Sequence, residues 1–313
     1  MGSLRVWFGP AWGPFAFHDL EVYPMRRTHA FTLIELLVVI AVIAVLMAII
    51  MPALGKAKNL AQGIACKGNM KNYTLAVAMY CDDNDGKFCE PATCYFSQST
   101  AFPVESGLSS YIHVRWCNGN IDLKSHPQYG GHLFKYLANA KAFICPTYKT
   151  VAVRQSEDHF YQADAANMKN YEPWYNYTMN AYLGPRRVGG ADHALKEIRV
   201  DRIGQVKNPA TTFSFCEESA YVDTQYNISG LNDTYMIPGD VAMVKSWLAA
   251  AGGNPWNVEP GPGTSPKFYD VLAGYHNAPT GDLLKGRGNC AFLDGHVDAH
   301  ARSETFPLAY PLK

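Results

Sequence analysis

The sequence predicts an α+β protein in which a long N-terminal transmembrane helix packs on an antiparallel-sheet head with irregular insertions. Three observations predict this class. An uninterrupted apolar run covers residues 31–51, a stretch of helix-forming residues follows over 53–80, and from about residue 87 short apolar runs alternate with Gly, Pro and Asn. Only the first two segments are long enough for a continuous helix.

The composition favours a folded head and excludes some functions. Hydrophobic residues make up 48% of the 313-residue chain and charged residues only 17%, so a core can form. Basic and acidic residues both number 27, which leaves no net field to attract nucleic acid. The eight cysteines contain no C-x-x-C pair, so a zinc ribbon or a thioredoxin-type site is not supported.

The apolar run reads FTLIELLVVIAVIAVLMAIIM, and Glu35 is its one ionisable residue. A helix of about 20 residues rising ~1.5 Å per residue spans the ~30 Å hydrocarbon core of a bilayer. We therefore predict a transmembrane helix over 31–51 and disfavour a buried helix of a soluble protein. Arg26 and Arg27 precede the run, so the positive-inside rule predicts a cytoplasmic N-terminus and an external head.

The helix is predicted to continue outside the membrane over residues 52–81 and to end at the acidic turn DDNDG of residues 82–86. The remaining head, 82–313, is predicted to contain strands at 142–144, 211–216 and 289–293, with Asp294-Gly295 turning the last strand into a hairpin. Helices are predicted at 132–139 and 243–251. The continued helix is supported by apolar residues that fall near three-to-four spacing, namely Leu54, Ala57, Ala61, Ile64, Leu75 and Met79.

The junction Ala30-Phe31-Thr32-Leu33-Ile34-Glu35 resembles the processing site of type IV prepilins and type II secretion pseudopilins. The resemblance implies the lollipop architecture of that family, with cleavage after Ala30, where the family usually has Gly, and methylation of the Phe31 amine. It also implies that Glu35, fifth in the mature chain, meets this amine during assembly. A Glu near the membrane interface that reaches water is the alternative.

The resemblance extends to Pro52, which holds the position of a helix-kinking proline in many pilins. Pro52 alternatively marks the end of the span. Residues 1–30 are then a leader, and we expect that residues 1–24 come from an over-extended gene prediction that precedes a true start at Met25.

Parts of the head resemble a bacterial group of pilin-like proteins named for a His and an Asp-Gly pair with nine residues between them. The matching C-terminal residues are His276, Asp294 and Gly295, although seventeen residues separate His276 from Asp294. Weaker matches in the same order include Cys66 with Asn69-Met70-Lys71, and Phe143-Ile144-Cys145-Pro146.

Near the C-terminus His296, Asp298 and His300 would share one face of a strand and offer three metal ligands. We favour a solvent-facing polar face and predict neither a metal nor a cofactor. No G-x-S-x-G, H-E-x-x-H or P-loop motif occurs, so no enzymatic activity is predicted.

Two functions remain open. The first is a structural subunit of a pilus-like or secretion-like filament. Its partners are a prepilin peptidase and methylase, further copies of the chain and other pilin-like subunits, an inner-membrane assembly platform and the lipid bilayer. The second is a secreted enzyme or glycan-binding module that uses the same membrane anchor. The processing junction favours the first function, and so does the absence of a catalytic motif.

Overall fold

The structure is a computed structural model that describes residues 32–91, 131–137, 140–148, 176–185, 195, 197–219, 235–260, 268–279 and 285–313. Two compact units divide the chain, Met1–Ala53 and Leu54–Lys313, and each is described by itself. The leader and the predicted cleavage site between Ala30 and Phe31 lie outside the described residues.

Helix α1, Leu33–Asp83, confirms the predicted long N-terminal helix. A capping box starts it, because the Thr32 hydroxyl accepts a hydrogen bond from the Glu35 N–H while the Glu35 carboxylate accepts one from the Thr32 N–H. Pro52 lies inside α1 and lacks the N–H that would bond to the carbonyl of Ala48. The helix therefore continues past Pro52 with one backbone hydrogen bond fewer.

In the second unit, α1 buries one face against the sheet. The buried side chains on this face include Cys66, Met70, Tyr73, Val77 and Cys81, which recur every three or four residues. The residues whose spacing predicted the helix are a different set, and among them Leu54, Ile64, Leu75 and Met79 are exposed. Both sets have helical spacing, so periodicity alone does not decide which one faces the core.

Five strands form one mixed sheet in the order β3-β1-β2-β4-β5. They are β1 (Tyr177–Asn180), β2 (Phe213–Glu217), β3 (Tyr235–Met236), β4 (Gly288–Phe292) and β5 (Val297–His300). Neighbours β1–β2, β2–β4 and β4–β5 pair in antiparallel fashion, whereas β3 runs parallel to β1. The α+β class is thus confirmed, with one parallel pair in a sheet that was expected to be wholly antiparallel.

The central strands are buried on both faces of the sheet. One face packs against α1, where Tyr73 meets Tyr177 and Phe215. The other face packs against α2 (Val241–Ala250) and α3 (Thr305–Ala309), whose side chains join a core with Phe213, Cys216 and Phe292. Every residue of β1, β2 and β4 is buried, so a charged residue in these strands lies between two apolar layers.

The local predictions for the head have mixed outcomes. Strands β2 and β4, helix α2 and the β4–β5 hairpin confirm four of them. The strand predicted at 142–144 is wrong, because the 3-10 helix Ala140–Phe143 occupies that segment. The described part of the helix predicted at 132–139 forms turns instead, with the Tyr136 N–H bonded to the Leu133 carbonyl.

Candidate functional site

The N-terminal site consists of the apolar part of α1 and the polar groups at its start. Among the described residues, α1 is the one helix that is long and apolar enough to cross a membrane, and the side chains of its apolar window are exposed. The Glu35 carboxylate lies 2.8 Å from the Thr32 nitrogen and 2.9 Å from the Thr32 hydroxyl oxygen. Glu35 therefore already has one local task, which is to cap the helix.

The Asp294-Gly295 turn holds the β4–β5 hairpin against α1. Gly295 has a φ of +95°, a left-handed conformation that favours glycine. Its carbonyl accepts a hydrogen bond of 2.5 Å from the Lys71 ammonium of α1. One turn earlier on the helix, the Lys67 ammonium lies 3.1 Å from the Asp298 carboxylate. Gly295 of the predicted signature and Asp298 of β5 thus tie the hairpin to the helix.

The three candidate metal ligands near the C-terminus are each engaged with a different group. His296 Nδ1 lies 2.6 Å from Asp294 Oδ1, and His300 Nδ1 lies 3.1 Å from Glu304 Oε1. Asp298 forms the ion pair with Lys67. Their contacts do not bring the three side chains together around a common point.

His276, the remaining signature residue, lies in a separate buried cluster. Its Nε2 is 3.0 Å from Glu217 Oε1 and 3.6 Å from Cys145 Sγ. With Cys66 Sγ these make four potential ligand atoms that all lie within 4.8 Å of one another. Within the described ranges, this is the one group of three or more His, Cys, Asp or Glu residues found in such an arrangement.

Four separate parts of the chain supply the cluster. Cys66 comes from α1, Cys145 from the segment after the 3-10 helix Ala140–Phe143, and Glu217 from the last position of β2. His276 lies in an isolated antiparallel bridge with Arg287, where each backbone N–H donates to the other residue's carbonyl. The opposite ring nitrogen of His276 faces α1 at Gly63, where an added Cβ would lie 3.7 Å from Nδ1.

Hydrogen bonds hold two members of this cluster, Glu217 through its carboxylate and Cys145 through its backbone. The second carboxylate oxygen of Glu217 accepts a hydrogen bond of 2.8 Å from the Asn289 N–H of β4. The Cys145 N–H donates a bond of 2.7 Å to the Asn176 side-chain oxygen. Such supporting bonds fix the direction in which a side chain presents its free atoms.

The cluster places ionisable groups of opposite charge type, an imidazole beside a carboxylate and two thiols, in an apolar interior. Burial raises the pKa of the Cys145 thiol well above its usual value, and the neighbouring Cys66 adds to this effect. A hydrogen bond with Cys145 lowers the pKa of Cys66 to about 6, against the opposing effect of burial. Burial also disfavours the imidazolium, but the Glu217 charge and hydrogen bonds to Cys66 and Glu217 raise the pKa of His276 to about 10.

The comparisons with known proteins concern the N-terminus. Residues 25–51 match the family model of the prokaryotic N-terminal methylation motif, which is consistent with a type IV pilin-like protein and confirms the resemblance seen in the sequence. The match spans the predicted cleavage junction, Glu35 and the apolar run. No curated protein and no solved structure matches the chain.

Sequence analysis did not find the buried cluster. Cys66, Cys145 and His276 were noted in three matching segments, but nothing in their spacing shows that they meet. Glu217 offered the most direct signal, since it follows Phe213-Ser214-Phe215-Cys216 in a strand that is buried throughout. A carboxylate in such a strand requires a partner.

Proposed function

We propose that this chain is a structural subunit of a type IV pilus-like or type II secretion-like filament. The observation that carries the proposal is the methylation motif at 25–51, which coincides with the start of an exposed apolar helix. A prepilin peptidase cleaves between Ala30 and Phe31 on the cytoplasmic side, and a methylase modifies the new Phe31 amine. The mature protein stays in the inner membrane by one span, with its head periplasmic or extracellular.

Assembly then depends on contacts between helices in lipid. Apolar side chains gain no hydrophobic energy by leaving lipid for another apolar surface, so association must come from close packing and polar pairing. The Glu35 carboxylate and the Phe31 amine of a neighbouring subunit supply such a pair. Identical subunits that meet through different surfaces, with a rotation that does not close, form a helical filament.

Exposed apolar side chains beyond the span support the same proposal. Leu60, Ile64, Leu75 and Met79 of α1 are all more than half exposed, although they belong to the part of the helix that packs on the head. Leu60 with Ile64, and Leu75 with Met79, lie one helical turn apart, and neighbouring exposed apolar side chains mark surfaces that contact other molecules. In the filament these residues contact other pilin-like subunits.

The head serves the filament and carries no catalytic activity in this proposal. The Lys67–Asp298 ion pair and the buried cluster around His276 each tie α1 to other elements of the head. The alternative, a secreted enzyme or glycan-binding module on a pilin-type anchor, requires an exposed reactive or stacking site. No observation on the described residues favours it over the filament subunit.

Mass spectrometry of the N-terminal peptide from membrane-extracted protein tests the processing step. We expect a mature chain that begins with N-methylated Phe31. A mature N-terminus beyond Pro52 would indicate ordinary signal-peptide cleavage and contradict the proposal. An unprocessed chain in cells with an active prepilin peptidase would contradict it as well.

Two substitutions at Glu35 separate helix capping from pairing with the amine. Glu35→Gln keeps a side-chain oxygen that can complete the capping box but removes the charge, whereas Glu35→Ala removes both. Both variants should insert normally, because they lower the transfer cost of the span. If pairing drives assembly, crosslinked ladders decrease in both variants. Normal ladders in Glu35→Gln would show that Glu35 acts only as a helix cap.

A further inference from the structure

The second unit contains a buried set of side chains whose chemistry is that of a metal site. Two thiol sulfurs, one imidazole nitrogen and one carboxylate oxygen lie within 4.8 Å of one another. Cys66, Cys145 and Glu217 are 0% exposed and His276 is 7% exposed. Cys, His and Glu are all zinc ligands, and four protein ligands with no open position are the arrangement of a structural zinc site.

The distance from His276 to Cys145 fits the geometry of a tetrahedral zinc site, and the distance from His276 to Glu217 is shorter than that geometry requires. A tetrahedral zinc ion with bonds of about 2.0 Å to nitrogen, 2.1 Å to oxygen and 2.3 Å to sulfur separates N from S by about 3.5 Å and N from O by about 3.4 Å. The observed distance from His276 Nε2 to Cys145 Sγ is 3.6 Å. The distance from Nε2 to Glu217 Oε1 is 3.0 Å. Only a small outward movement of the carboxylate would admit the ion.

The ligands are also oriented as a metal site requires. The Asn289 N–H holds the far oxygen of Glu217, which leaves Oε1 directed at the cluster. The His276 ring presents Nε2 to the other ligands, while its Nδ1 edge lies toward Gly63. In metal sites, a contact to the atom of a ligand side chain that does not bind the metal fixes the orientation of that side chain.

We propose that Cys66, Cys145, Glu217 and His276 bind one structural zinc ion. The mixture of two sulfurs with one nitrogen and one oxygen suits zinc better than the oxygen-seeking cations calcium and magnesium. With four protein ligands and no exposed position, the ion has a structural role. It joins α1 to β2, to the 140–148 segment and to the His276 bridge, and so fastens the long helix to the sheet.

A disulfide between Cys66 and Cys145 is the competing chemistry, because disulfides form readily outside the cytoplasm. It would account for the two sulfurs but not for the convergence of Glu217 and His276 on the same point. The two explanations differ in whether the thiols are free after the metal is removed. The test therefore measures metal and thiols in the same sample.

The experiment uses the full chain, extracted in detergent and purified without a metal-affinity tag. Elemental analysis should find about one equivalent of zinc per chain. Alkylation of the denatured protein with a chelator present should label both Cys66 and Cys145. A metal-free chain, or a peptide that links Cys66 to Cys145 through a disulfide, would overturn the proposal.

Substitutions locate the ion. Cys66→Ser and His276→Gln should each lose most of the zinc. The matched control is Cys81→Ser, since Cys81 is a buried cysteine of the same helix outside the cluster, and this variant should keep its zinc. Loss of zinc from His296→Gln or Asp298→Asn, with zinc retained in Cys66→Ser, would place the ion at the hairpin and refute the assignment.

A spectroscopic measurement on the wild-type chain keeps the test independent of how well the variants fold. Cobalt exchanged for zinc should give a thiolate-to-metal charge-transfer band and the visible bands of a tetrahedral ion. X-ray absorption should show two sulfur and two lighter ligands. A spectrum without sulfur ligands would contradict the proposal even if zinc is bound.

Discussion

Truncation of Tyr73 tests which face of α1 packs against the sheet. The Tyr73 side chain is 0% exposed, with ring centroids 4.7 Å from Phe215 and 5.4 Å from Tyr177. Truncation of a buried aromatic residue to alanine costs about 3–5 kcal/mol, including about 0.5–1.5 kcal/mol for each aromatic contact. The matched control is Leu75→Ala on the same helix, where the side chain is 53% exposed and the cost should stay below about 1 kcal/mol.

Urea unfolding of the full chain in detergent, followed by tryptophan fluorescence, measures both variants. With a denaturant dependence of about 3 kcal/mol/M, Tyr73→Ala should lower the unfolding midpoint by about 1–1.7 M. Leu75→Ala should leave the midpoint within a few tenths of that of the wild type. A large decrease for Leu75→Ala and none for Tyr73→Ala would show that the Leu75 face is the packed one, and would refute the packing of Tyr73 against the sheet.

Three further predictions concern the head. Gly295→Ala should lower the free energy of unfolding by about 1–2 kcal/mol, because the residue has φ +95°; Gly68→Ala, in an open helical position, should raise it slightly. Asp240→Ala should cost about 0.5–2 kcal/mol in urea unfolding, because the Asp240 side chain caps α2. Burial of Asp294 favours the neutral acid, but hydrogen bonds from His296 outweigh this effect and lower the pKa of Asp294. The Asp294 carboxylate therefore stabilises the fold above about pH 4, and this stabilisation is lost as the pH falls further. In thermal unfolding measured over a pH series, Asp294→Asn should reduce the loss of stability at low pH. An unchanged loss would contradict the role given to Asp294.

Much of the fold could be predicted because its signals are local. The apolar run of α1, the turn at Asp294-Gly295 and the apolar stretch of β2 each depend on residues close together in sequence, and all three are present. The segment at 142–144 was mispredicted because three apolar residues suit a 3-10 turn as well as a strand. The parallel pairing of β3 with β1 joins residues far apart in the chain, so no local pattern records it.

The sequence by itself determined the two N-terminal features of this protein, the long apolar helix and the methylation motif. A helix able to cross a membrane is specified by its length and hydropathy, and the methylation motif by a contiguous run of residues, so neither requires knowledge of the head. The methylation-motif match at 25–51 concerns the same contiguous stretch.

Only the tertiary structure decided the buried cluster and the packed face of α1. Cys66, Cys145, Glu217 and His276 meet because the 140–148 segment, β2 and the His276 bridge converge on the same side of the helix. Their types were visible in the sequence, but side chains far apart in the chain interact only once the backbone brings them within a few ångströms. The same holds for Tyr73, whose burial depends on where β1 and β2 lie and not on its neighbours along the helix.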